Sequence, residues 1–167
     1  MFSTEGTISS YPKVHNIGNP ALNLLVSLPE TVVSVEEKLD GSQFSFGVDP
    51  VMQALQVRSK GAIINPNDPP KLFKLAVESV QAAFAEGKLE VGTVYRGEAI
   101  TSRRHNSLTY DRFPETGVVL FDVEIYNPTT QSWRIGEYEE LKVRGEALGF
   151  EVVRQHAVMS LRDVFGE

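Results

Sequence analysis

Two strand-like runs, 32–37 and 43–48, stand close together in the stretch TVVSVEEKLDGSQFSFGV, with Lys38, Leu39, Asp40, Gly41 and Ser42 between them. β-Branched and aromatic residues bounded by Asp and Gly read as strands on either side of a turn. A third run, 54–58, follows an Asp49-Pro50 turn, so the three together predict an antiparallel meander. Lys38 is the anomaly in this pattern. A charged amine is normally kept off a sheet centre and out of a tight turn, because burying it unpaired costs several kcal/mol or its proton. Either it snorkels beside an Asp-Gly hairpin turn, or it is there for chemistry.

The rest of the chain continues the habit of short strands with helices between them. Residues 3–20, rich in Ser, Pro, Gly and Asn, read as an irregular entry segment, followed by a short helix at 21–28. Pro69-Pro70 opens the clearest helix, in which Leu72 or Phe73, Ala76, Val80 and Phe84 recur every three to four residues and Gly87 stands where a left-handed cap belongs. Strands are expected at 91–100 and 117–126, with 133–135 returning as a hairpin arm. A helix is expected at 137–148, with Tyr138, Leu141 and Leu148 inward and Gly149 closing it. Residues 150–155 read as a further strand and 161–165 as a last helical turn. Strands in succession with helices packed outside predict an α+β fold of antiparallel sheets with flanking helices.

A chain of 167 residues has the size of one domain and can bury about two-thirds of its unfolded surface. Residues 1–167 are therefore read as one domain. No run approaches the roughly 18 apolar residues of a membrane span, and residues 1–12 lack the basic start and apolar stretch of a secretory signal. The absence of cysteine excludes disulfides and thiolate zinc sites and suits a cytoplasmic protein. A net charge of −6 argues against non-specific binding to a phosphate backbone, which relies on many Lys and Arg contacts. The balance reverses locally between Arg96 and Arg112, where Arg103 and Arg104 also stand and only Glu98 and Asp111 oppose them. Acid is concentrated after Glu137, in the expected helix.

Lys38-Leu39-Asp40-Gly41 has the form K-x-D-G, which alone is too short to be specific. It is followed in order by Arg58-Ser59-Lys60-Gly61 after a strand, Arg96-Gly97-Glu98 at the end of another, and Leu120-Phe121-Asp122-Val123-Glu124 within a third. This ordered set resembles the adenylyltransferase domain of ATP-dependent RNA ligases, in the covalent nucleotidyltransferase superfamily that includes DNA ligases and mRNA capping enzymes. RRHNSLTYDRFPETGVVLFDVEIYN and the opening YPKVHNIG are similar to phage-type and bacterial RNA ligases, and the likeness extends from about residue 11 to residue 155.

The resemblance implies a ligase-type, ATP-grasp-like nucleotidyltransferase domain using ATP and Mg²⁺. Lys38 matches the nucleophile, which attacks the α-phosphorus of ATP to give a lysyl-AMP and expel pyrophosphate. Such a lysine is deprotonated only about once in two thousand at pH 7 unless partial burial or a nearby Mg²⁺ favours the neutral amine. By the same resemblance Glu37 helps read the adenine edge, Arg58 and Glu98 hold the ribose hydroxyls or adjacent phosphate, and Phe121 stacks on the base. Gly41 would permit a positive φ and close backbone approach to the nucleotide. The plainer alternatives are a core aromatic for Phe121, a surface carboxylate paired with Arg96 for Glu98, and a solvated strand-end cation for Arg58. Arg103, Arg104 and Arg112 either meet nucleic-acid phosphates or line a solvated loop; His105 and Asn106 carry no assigned role. No metal ligand is assigned.

Two later motifs of that family have no counterpart here: an acid-bearing strand of the form E-G-x-V, and a strand with two lysines that grip the triphosphate. After Phe121 the only lysine is Lys142, in the acidic helix. The domain is therefore read as incomplete, whether truncated, split or reduced. The implied function is joining of RNA 5′-phosphate and 3′-hydroxyl ends in the cytoplasm, with a phage-encoded protein in its host's cytoplasm admitted. A second chain supplying the absent motifs, or self-association, would complete the site. The alternatives are a non-catalytic nucleotide- or RNA-binding remnant, or a DNA-ligase or capping-type transferase.

Overall fold

A computed structural model describes residues 1–166, which form two compact units: Met1–Ser10 with Leu39–Val153, and Tyr11–Lys38 with Arg154 onward. In chain order the strands are β1 (Val32–Glu36), β2 (Ser42–Val48), β3 (Leu55–Ser59), β4 (Ile63–Ile64), β5 (Thr93–Ala99), β6 (Val118–Asn127), β7 (Ser132–Ile135), β8 (Glu151–Val152) and β9 (Gln155–Ser160). The helices are α1 (Asn23–Val26), α2 (Lys74–Ala85), α3 (Tyr138–Leu148) and α4 (Leu161–Phe165).

The larger unit is built on a seven-stranded sheet of order β4-β3-β2-β5-β6-β7, antiparallel throughout except for β8, which runs parallel to β6. Its strands arise where aromatic and β-branched residues alternate, as in Phe44, Phe46 and Val48 of β2, which turn one face toward the helices. That face buries Val57, Tyr95 and Leu120 against Phe73, Ala76, Val77 and Val80 of the α2 region and against Leu141 and Leu148 of α3. Phe44 stacks on Phe73 at 5.7 Å, and Phe46 on Tyr95 at 5.0 Å. In α2 the inward position at the C-terminal end is Ala83 rather than Phe84, which is exposed. Gly87 follows with φ of +69°, and Gly149 closes α3 with φ of +76°, both where a side chain would be strained.

The opposite face of the sheet carries a buried polar network beside apolar clusters, and residues 1–10 pack on it. Arg96 of β5 is fully buried there. Its Nε and Nη2 donate to Glu124 Oε2 of β6 at 3.2 and 2.7 Å, and its Nη1 donates to Ser45 Oγ of β2 at 3.0 Å and to the Ser9 carbonyl at 2.7 Å. Phe2 and Ile8 pack with Val94 and Trp133 beside this network.

The smaller unit pairs β1 with β9 antiparallel, Val32 opposite Ser160 and Val35 opposite Ala157. A 3-10 turn (Pro20–Leu22) leads into α1, and α4 follows β9. The expected meander is thus corrected. β1 does not join β2, because both edges of β2 are taken by β3 and β5. The single strand expected at 150–155 is also divided, β8 belonging to one sheet and β9 to the other. Among the described residues no helix is long and apolar enough to cross a membrane.

Two stability outcomes follow from these contacts. Glu124→Gln should cost about 3–5 kcal/mol by leaving the Arg96 guanidinium buried without its carboxylate; urea unfolding measures it, and replacing both residues by apolar ones should recover most of the loss. At α3, Glu140 accepts from Arg134 at 2.6 and 2.8 Å and from the Glu137 N–H at 2.9 Å, completing a capping box. The Arg134 hydrogen bonds, then that N–H, hold its carboxyl down at about 2, against an ordinary value of 4.5. A carboxyl depressed on folding stabilises above its unfolded pKa, so this contribution should be full above pH 4.5 and lost as pH falls toward 2. Solvent exposure keeps it small. In thermal melts Glu140→Gln should lie below the parent at neutral pH and converge with it across that window.

Candidate functional site

At the entrance to β2 the chain passes so close to β5 that only glycine fits. A Cβ on Gly41 would lie 2.4 Å from the Ala99 carbonyl oxygen and 2.8 Å from Glu98 Cγ. Gly41 does not take a positive φ, so its need for glycine is the approach of a neighbouring strand rather than a left-handed turn. Its N–H donates to Glu98 Oε1 at 3.1 Å, which ties the K-x-D-G segment to the end of β5.

Asp40 has no part in a hairpin turn. Its Oδ2 accepts from the Ser107 and Leu108 N–H groups at 2.7 and 2.9 Å, and its Oδ1 from Asn106 Nδ2 at 3.1 Å. Its own N–H donates to the Tyr110 hydroxyl at 2.7 Å, Asn106 Nδ2 also donates to the Gly41 carbonyl at 2.8 Å, and His105 Nε2 lies 2.9 Å from Ser42 Oγ. The polar loop between β5 and β6 is therefore fastened to residues 40–42 along its length. Neither Asp40 nor His105 and Asn106 stood out as a clamp in the sequence, since hydrogen bonds between remote polar loops leave no periodic pattern.

Gly41 and Glu98 line an open cleft of about 420 Å³ together with Ser42, Gln43, Ser59, Lys60, Gly61 and Phe73. Its chemistry is one carboxylate, one ammonium, two hydroxyls, an amide and one aromatic ring, a set suited to a polar ligand with hydroxyl and anionic groups. Arg58 precedes Ser59 on β3 but does not line this cleft. Its guanidinium donates to the Ile8 carbonyl, to Ser10 Oγ at 2.9 Å and to the Ser59 carbonyl at 3.1 Å. Burial, and then the nearby Arg96 charge, pull its pKa below the ordinary arginine value. Phe121 is half-buried and packs on the small cluster of Ile100, Val119 and Val153, beside Leu39, Tyr110 and Tyr138. Glu37 and Lys38 end the first segment of the smaller unit. Both side chains are exposed, so the partial burial expected of Lys38 is not found, and the Glu37 N–H donates to the Arg154 carbonyl at 3.0 Å.

Among the described residues no group of three or more His, Asp or Glu side chains converges. Magnesium shared with phosphates needs only one or two carboxylates, and Glu98 is the carboxylate among the residues lining the cleft.

Compared by sequence, the chain matches no family model and no curated protein. Compared by structure, it is similar to two forms of an archaeal ATP-dependent RNA ligase, each with a TM-score of 0.59 and 19% identity. These cover 93% and 95% of this chain but only 39% and 40% of the ligase. A Naegleria gruberi RNA ligase mutant solved with ATP and Mn has a TM-score of 0.59 at 13% identity, covering 84% of this chain and 41% of that one. The chain shares its fold, α+β with antiparallel sheets, with part of these RNA ligase structures. The chain spans about two-fifths of the length of these ligases.

Gly41→Ala should destabilise the chain by about 1–3 kcal/mol, as overpacking against an immovable backbone does. A melting temperature unchanged from the parent would show that β2 and β5 can part at this point without cost.

Proposed function

We propose that this chain carries the nucleotide-transfer part of an ATP-dependent RNA ligase, forming a lysyl-AMP at Lys38 and passing the nucleotide to an RNA 5′-phosphate. The observation that carries this is the junction of Gly41 and Glu98, two residues of the ordered motif set, at one cleft on a ligase-type fold. The lysine is joined directly to that segment through Leu39.

In this scheme the neutral Lys38 amine attacks the α-phosphorus of ATP. A nitrogen–phosphorus bond forms, the bond to the bridging oxygen breaks, pyrophosphate leaves with its electron pair, and the amine loses its proton to solvent. An RNA 5′-phosphate oxygen then attacks the AMP phosphorus and releases the lysine. Finally a 3′-hydroxyl attacks the 5′-phosphorus and AMP departs. Glu98 accepts hydrogen bonds from ribose hydroxyls and Glu37 reads the adenine edge; Phe121 stacks on the base by turning its half-exposed ring away from the apolar cluster it packs on. Arg58 reaches the nucleotide by exchanging its neutral acceptors, Ile8 and Ser10, for phosphate oxygens. Mg²⁺ would offset charge on the phosphates, with Glu98 as a protein carboxylate near it.

A second reading, that of a nucleotide- or RNA-binding remnant, is favoured by the exposure of Lys38, which lacks the burial that would favour its neutral amine. A partner polypeptide, or a second copy, would add cations for the departing pyrophosphate beside Lys60 of the cleft. DNA or a capped RNA end is the alternative substrate.

Incubation with α-³²P-labelled ATP followed by acid denaturation separates these readings. Covalent label on the parent chain, lost in Lys38→Ala with the fold retained, is the expected outcome. Label that persists in this variant, or that maps to Lys60, overturns the assignment of the nucleophile. ATP binding without label, unrestored by an added C-terminal piece of a related ligase, identifies the remnant.

A further inference from the structure

The structure sorts the three arginines between β5 and β6. Arg112 is bound fork to fork by Glu151, Nη1 to Oε1 at 2.6 Å and Nη2 to Oε2 at 3.1 Å, and this contact raises its pKa further. It is therefore occupied. Arg103 and Arg104 are exposed, and among the described residues neither guanidinium has a carboxylate partner. Two adjacent unpaired guanidiniums repel one another, and nothing in the core needs them.

They also ride on a braced support. Arg104 bridges antiparallel to Thr109, the Tyr110 N–H donates to the Arg103 carbonyl at 2.6 Å, and Ser102 Oγ donates to the Arg104 carbonyl at 2.8 Å. Residues 103–110 thus fold back as a small hairpin whose tip, Asn106 to Leu108, rests on the Asp40 carboxylate. Ordering a polar loop costs conformational entropy at every residue, and hydrogen bonds donated by several groups to one carboxylate are among the few local means of offsetting it. The loop is held beside Gly41 and Ser42, which line the cleft.

We infer that the hairpin bearing Arg103 and Arg104 is the surface on which the phosphates of an RNA strand lie next to the cleft, and that Asp40 is the positioning residue that holds it there. Guanidinium forks match phosphate oxygens, and on a chain of net charge −6 the contact is local rather than a general basic coat. The choice of RNA over another polyanion rests on the ligase reading above. Asp40 touches neither nucleotide nor strand; it acts through the two arginines.

The test is fluorescence anisotropy of a 5′-phosphorylated single-stranded RNA across a salt series, with each variant's melting temperature recorded. The paired variant R103A/R104A should bind at least about tenfold more weakly at low salt. Its plot of log affinity against log salt should be shallower by about 1.4, the value for two phosphate contacts on a single strand. R112A should leave that slope unchanged. D40A should weaken binding in the parent but add little in the R103A/R104A background. N106A, a milder loss of one tip tether, should behave the same way should D40A fold poorly. An unchanged slope in R103A/R104A overturns the surface. An equal effect of D40A, or of N106A in its place, in both backgrounds overturns the positioning role. RNA binding through these arginines in a chain that never labels with ATP would remove the ligase reading and leave the surface. Labelling at Lys38 without any RNA binding would do the reverse.

Discussion

The buried guanidinium of Arg96 organises the polar network of the main sheet. One side chain joins β2 through Ser45, β6 through Glu124 and residues 1–10 through Ser9. A charge taken out of water survives only when nearly all its donors are met, so these four segments are held in a single arrangement. The register that results carries Glu98, two residues along β5, to the entrance of β2, where Gly41 waits against the Ala99 carbonyl. The cleft is a consequence of that register. The helices on the other face supply cohesion, but they do not decide which polar groups meet.

Elements with local signals were legible in the sequence. α2 announced itself by three-to-four-residue spacing, Pro69-Pro70 before it and Gly87 after it, and β2 and β3 by alternation around Asp49-Pro50. β1 was visible as a strand but its partner was not. Val32, Val33 and Val35 look the same whether the neighbouring strand follows at once or lies far down the chain, and only the filling of both edges of β2 settles it. The need for glycine at position 41 was legible, while its cause, a close strand rather than a positive φ, was not.

The candidate site divides in the same way. Gly41 and Glu98 stand far apart in sequence, and the structure brings them to one cleft. Arg58 and Phe121 lie in the same unit but face elsewhere, Arg58 toward Ile8 and Ser10 and Phe121 toward an apolar cluster. Arg112 shows why charge alone misleads: next to Arg103 and Arg104 it reads as one basic stretch, yet Glu151, brought alongside by β8, removes it from the set.

The pairing of β1 with β9 has a consequence for how the molecule comes into being. Val32 meets Ser160 only after residue 160 has been made, whereas every strand of the main sheet has its partner by residue 152. Closing so long a loop is slow relative to local pairing, and chains fold from their first-made end as they emerge. The main sheet can therefore be complete while the segment ending in Lys38 is still without its partner strand. A nascent chain would hold its cleft and its clamped arginine hairpin before the lysine segment settles, which orders assembly so that the segment ending in Lys38 pairs after the main sheet.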